Sequence, residues 1–298
     1  MHILRLLACL CLAAAIPSAV PATPQQTGPL LTRGGAVVAV ARCGPGLEFA
    51  DSCRAIDVIR GGKVDRLGEG YSKVTLLWRR ESGANGPDLL VRGDWGGSGG
   101  VTDLYAISLE PVLAVRKLSM EYGDWVTADS AAGALSFDAP FLVRYFNGAP
   151  NSNTTTIHLP MRWVDGDFAV NLGALTARSF SPGELRFREL AVRHELSRWA
   201  SDTYPSPRLF PPQANGGTPV TAHALADLML AGRADLAKEL LDRTWPRSRD
   251  GGGGQMDGKE EYWSALCRTV TGNRDYERFG LSRIPHSALI EAGAARAK

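Results

Sequence analysis

The period of the apolar positions changes once along this chain, near residue 180. Before that point, short β-rich runs such as Lys73–Trp78, Asp88–Arg92 and Asp103–Leu109 are separated by glycine turns. Alternation is strict further on. Phe141, Val143 and Tyr145 share a face opposite Arg144, and Ile157, Leu159, Met161 and Trp163 share one opposite His158 and Arg162. Val164-Asp165-Gly166-Asp167-Phe168 predicts a tight hairpin, because Asp-Gly supplies the positive φ angles such turns require. Strands from about 36 to 176 with no helix between them predict an antiparallel sheet assembly.

At Ser181 the grammar becomes helical. Ser181-Pro182-Gly183-Glu184 combines a serine cap, a proline in the first turn and a glutamate three residues after the cap. The helix that follows, to about Trp199, carries two apolar stripes: Leu185, Val192, Leu196 and Trp199, and then Phe187, Leu190 and Ala191. Two stripes predict a helix sandwiched between the β part and the tail. A Pro-rich spacer, Tyr204–Pro212, precedes helices predicted over Pro219–Ala231, Asp235–Trp245, Glu260–Thr271 and Pro285–Arg296, with Gly251–Gly254 as a break. The expected fold class is α+β, a β-rich part at 35–178 followed by an α-helical part at 181–298.

The predicted helix pair Ala222–Trp245 resembles one tetratricopeptide-like hairpin, in Leu228, in Gly232 closing the first helix and in Ala237 five residues later. It departs from that pattern at Leu225, where a small residue is usual, and at Pro246, which arrives about one turn early. A single copy is present, where arrays need about three units. The resemblance implies a helical hairpin and a protein-binding surface on the helical part.

The N-terminus changes the picture of compartment. Arg5, the apolar run Leu6–Ile16, Pro17-Ser18 and the small residues of Val20-Pro21-Ala22 predict a signal peptide at 1–22, cut after Ala22. The run is about half the ~20 apolar residues a membrane span needs, so no stable membrane anchor is expected. Leu6-Leu7-Ala8-Cys9 resembles a lipoprotein box, but the apolar segment continues past Cys9, whereas it should precede the cut. Residues 23–34, rich in Pro, Gln and Thr, read as a loose leader. The expected location is secreted or periplasmic, and the general layout resembles that of exported bacterial proteins, a likeness that names no function.

Without Arg5 the formal net charge of +2 drops by one, which gives no electrostatic reason to expect nucleic acid as a partner. Cys43 and Cys53 enclose a short Gly- and Pro-containing loop suited to a local disulfide in an oxidising compartment, leaving Cys267 as a buried, inert thiol.

Candidate chemistry is sparse. Gly96-Gly97-Ser98-Gly99-Gly100 fits the nucleophile-elbow pattern, with His158 or His194 as a base for Ser98, but that motif needs a helix after the serine and Val101–Leu109 alternates like a strand. The segment Asp94–Leu104 also resembles a calcium loop of propeller repeats, yet glycine and serine replace the inner acids, leaving too few hard donors. Neither a metal nor another cofactor is implied. Trp95, beside glycines and an aspartate, is expected to be partly exposed, a contact for sugar or protein. The function expected is that of an exported, non-catalytic interaction or envelope-associated protein with a protein partner on its helical part. The alternatives are a serine hydrolase using Ser98 and a glycan or small-ligand binder.

Overall fold

The computed structural model describes residues 27–45, 52–81, 86–97, 100–123, 126–129, 135–144, 146, 153–202, 218–247 and 258–296. It is an α+β fold: antiparallel sheets first, helices after. The first sheet is a meander of β1 (Gly28–Arg33), β2 (Ala36–Arg42), β3 (Arg54–Arg60) and β4 (Lys63–Tyr71). The second repeats that order with β5 (Lys73–Arg79), β6 (Leu89–Gly96), β7 (Val101–Ser108) and β8 (Ala114–Met120). The third runs β12 (Asp167–Val170), β11 (Thr155–Val164), β10 (Ser136–Val143), β9 (Ala128–Asp129). The predicted hairpin joins β11 to β12, with φ of 51° at Asp165 and 80° at Gly166.

Residues 28–33 are not the loose leader that their composition suggested. They form β1, because Gly34-Gly35 supplies a two-residue turn that pairs Gly28–Arg33 with β2. Leu30 and Leu31 pack on the core between the first two sheets, and Arg33 reaches the buried Asp88 at 2.7 Å. Cys43 and Cys53 are bonded, with Cα atoms 5.5 Å apart, fastening the end of β2 to the start of β3.

The helices are α1 (Leu172–Thr176), α2 (Pro182–Asp202), α3 (Pro219–Leu230), α4 (Ala234–Thr244), α5 (Lys259–Thr271), α6 (Arg274–Arg278) and α7 (Ser287–Ala295). Among the described residues, none is long and apolar enough to cross a membrane. The Ser181 cap forms as predicted: its hydroxyl accepts the Glu184 N–H at 3.2 Å, and the Glu184 carboxylate accepts the Ser181 N–H at 2.8 Å.

Two cores organise these layers. One lies between the first and second sheets, around Val38, Ile56, Tyr71, Val91, Tyr105 and Ile107. The other is continuous from the far face of the second sheet (Leu90, Leu104, Leu118), through the third sheet (Phe141, Ile157, Leu159), to the helices (Leu225, Leu228, Leu241, Trp263, Ile290). The β-rich and helical parts therefore share a core.

Among the described residues, the sandwich expected for α2 is not found. Val192, Leu196 and Trp199 are buried, but Phe187 is 73% and Leu190 59% exposed. The helix packs on α3 and α4 with one stripe, and its second stripe faces outward.

Candidate functional site

The outward stripe of α2 borders a groove of about 750 Å³, closed on its other sides by the start of α3 and the first residues of β11. Thr155, Phe187, Arg188, Ala191, Val220 and His223 line it. Three contacts fix its walls. Glu195 on α2 accepts the N–H groups of Val220 (3.0 Å) and Thr221 (2.6 Å), supplying the N-terminal turn of α3 with the acceptor that Thr218 does not provide through its side chain. The Thr155 hydroxyl donates to the Pro219 carbonyl at 3.1 Å. The hydroxyls of Thr218 and the wholly buried Tyr262 stand 2.7 Å apart, tying α3 to α5.

Below the groove, Asp227 of α3 is almost fully buried and receives both guanidinium groups in reach. Arg178 donates twice, at 2.7 and 3.1 Å, and Arg188 of α2 once, at 2.7 Å. Burial pushes the Asp227 carboxyl up, but the two guanidinium groups outweigh it and hold the pKa below the usual range. Both guanidiniums also lie over the Phe180 ring, at 5.5 and 5.0 Å. His223, one turn before Asp227, keeps part of its surface in solvent, yet partial desolvation lowers its pKa; Arg188, His158 and Arg178 add to this and Asp227 opposes it.

The charges on α2 are distributed unequally about the groove. Glu184 is held in the cap, Glu189 pairs with Arg193 at 2.8 Å, and Glu195 is committed to α3. Arg186 and Arg198 are exposed beside the apolar stripe, and neither pairs with an acid among the described residues. His194 lies on the same stripe, one turn after Leu190.

A second cluster sits at the open end of the first core. Asp103 on β7 is 2% exposed and accepts from Tyr71 (2.8 Å), Trp95 Nε1 (3.0 Å) and Ser119 (2.6 Å), with Lys117 Nζ at 2.9 Å. Burial alone would raise its pKa; these donors lower it below the usual value. The Tyr71 phenol is pushed well above its ordinary range by burial and by its bonds to Tyr105 and Asp103. Trp95 is 46% exposed, as its setting predicted.

Ser98 lies outside the described residues. The segment after it, Val101–Ser108, is strand β7, not the helix that a nucleophile elbow requires. His158 stands exposed on the polar face of β11 and His194 on the outer face of α2, whereas Gly97 and Gly100 belong to the β6–β7 hairpin of the second sheet. The two aspartates of the calcium-like loop cannot share an ion. Asp94 turns to Arg92 and Thr102 on one face of the second sheet, and Asp103 to Tyr71 and Ser119 on the other. Cys267 is buried, with its thiol pushed up to about 12 by desolvation.

The groove and its Arg178–Asp227–Arg188 base are absent from the sequence reading. The available signal was local: His223 and Asp227 at i, i+4 on an otherwise apolar helix. Comparison with protein-family models, with curated proteins and with solved structures gives no match.

Proposed function

We propose that this is an exported, non-catalytic interaction protein whose α2–α3 groove docks an acidic amphipathic segment of a partner protein. One observation carries the reading: the 21-residue helix α2 presents Phe187 and Leu190 to solvent in a continuous stripe, beside Val220 at 45% exposure and a groove of about 750 Å³. Large apolar side chains left outside at helical spacing, next to a concavity, fit an interaction surface. Charge selects the occupant. The described glutamates of α2 are all engaged within the protein, whereas Arg186 and Arg198 flank the stripe, so an apolar segment with acidic neighbours is complementary. Export is supported by the signal-like N-terminus and by the Cys43–Cys53 bond.

The test is site-specific photo-cross-linking of the whole chain in the extracytoplasmic fraction of its host. A photoreactive residue replaces Phe187 or, as a control on the first sheet, the exposed Val64. Adducts at 187 but not at 64, mapping to an acidic amphipathic segment and lost in Arg186→Glu/Arg198→Glu, are the expected result. Equal adducts at both positions, none at 187, or adducts that map to basic segments would refute it.

A further inference from the structure

We propose that Trp95 is a prebuilt stacking platform for a neutral saccharide, a site separate from the groove and independent of the reading above. A half-exposed tryptophan ordinarily buries its ring and leaves its N–H in water. Trp95 does the reverse. Its Nε1–H points inward, donating to the buried Asp103 at 3.0 Å, while the residue as a whole is 46% exposed, so the polar end of the indole is committed within the protein.

The ring is also locked. Its six-membered ring presses on Gly70, where a Cβ would come within 2.8 Å of Cζ3 and where φ is +96°. Tyr71 meets it edge-on, with centroids 5.3 Å apart at 75°. A rigid side chain that loses little freedom on binding is what a stacking contact needs.

The surroundings select the ligand. Lys117 Nζ and Trp95 Nε1 both touch one oxygen of Asp103, at 2.9 and 3.0 Å, so the ammonium lies less than about 6 Å from the indole. The Lys117 side chain is 44% exposed and Ser119 is half-buried beside it, giving hydroxyl-directed polar groups at the rim. Lys117 and Asp103 cancel in charge, which favours a neutral ligand over an anion or a cation. An apolar plate with neutral hydrogen-bonding groups along one side matches a pyranose: one face of C–H bonds, with hydroxyls around its edge. Asp103 takes no part in contacting the sugar; it holds Trp95 and Lys117 in place.

The probes are neutral hexasaccharides of β-1,4-glucose, β-1,4-N-acetylglucosamine and α-1,4-glucose, with adenosine as a stacking ligand that is not a sugar. Binding to the intact protein is followed by NMR and calorimetry. At least one hexasaccharide is expected to bind saturably and to move the indole resonance of Trp95 among the tryptophans. Trp95→Ala should weaken it about tenfold or more, while Phe187→Glu in the groove leaves it unchanged. Because Trp95→Ala removes a bond from Asp103, the resonance map on the unmodified protein stands as an independent readout. No saturable binding by any hexasaccharide up to about 10 mM, shifts confined to other tryptophans, or tighter binding of adenosine would each overturn the proposal.

Discussion

The phenol oxygens of Tyr71 and Tyr105 stand 2.6 Å apart in the core between the first two sheets, directly over the α-carbon of Gly68. Tyr71 donates to Asp103 at 2.8 Å, and the single Tyr105 proton is shared between the Tyr71 oxygen and the Leu67 carbonyl, 3.1 Å away, so two sheets are joined by a chain of buried hydroxyls. Such a chain tolerates no intrusion. A Cβ on Gly68 would fall 2.2 Å from the Tyr71 oxygen and 2.3 Å from that of Tyr105. Gly68→Ala is expected to lower stability by about 2 kcal/mol or more in urea unfolding. Gly28→Ala, with nothing within 4 Å, should stay within about 0.5 kcal/mol.

Asp227 is the second buried charge on which several elements depend. Replacing it with Asn leaves Arg178 and Arg188 facing each other without their counter-ion, at an expected loss of about 3 kcal/mol at pH 7. The folded pKa lies below the unfolded value of about 3.9, so the contribution is complete above that value and is lost as pH falls through the folded pKa. Wild type and Asp227→Asn should therefore begin to converge in stability as pH falls below about 3.9, and finish doing so below the folded pKa. A gap that stays constant to lower pH would rule out the paired carboxylate as its source.

His223 titrates below its ordinary value, so protonating it opposes the fold, and stability falls as pH drops from about 6.5 through the folded pKa. Asp227 is the influence that raises this pKa. In an NMR titration, Asp227→Asn should move the His223 midpoint further down; an upward move would contradict the arrangement of charges around the groove.

The Ser181 cap permits a cleaner test, because the side chain is exposed and buries nothing. Ser181→Ala is expected to cost about 1 kcal/mol by thermal unfolding, and Ser181→Asp to retain most of that stability. An unchanged midpoint in Ser181→Ala would mean that the α2 terminus is held by its packing alone.

Much of this architecture could be read from period and punctuation. Ile157, Leu159 and Met161 alternate inward as the pattern required, and the Ser181 box, Asp165-Gly166 and the starts of α3 and α5 fall within a residue or two of their signals. The misreadings have separate causes. β1 was hidden because its flanking Pro, Gln and Thr outweighed a Gly34-Gly35 turn that only pairing reveals. The second stripe of α2 has the composition of a buried face; nothing local records that Phe187 and Leu190 stay exposed. The Arg178–Asp227–Arg188 base was illegible because its members come from three places brought together by tertiary packing, and no spacing rule links residue 178 to residue 227. Trp95 was legible as exposed, but its inward N–H depends on Asp103 in the neighbouring strand.

Gly293 of α7 lies against Cys267 so closely that an added Cβ would sit 2.6 Å from the sulfur, and the thiol has no exposed surface. The molecule thus carries its own reporter of how α7 is seated. The helix that covers the thiol is α7, and while it is undocked the sulfur regains both solvent and its ordinary acidity. Alkylation of Cys267 would therefore clock the docking of α7 on a partly opened chain, with the closed fold silent to the reagent.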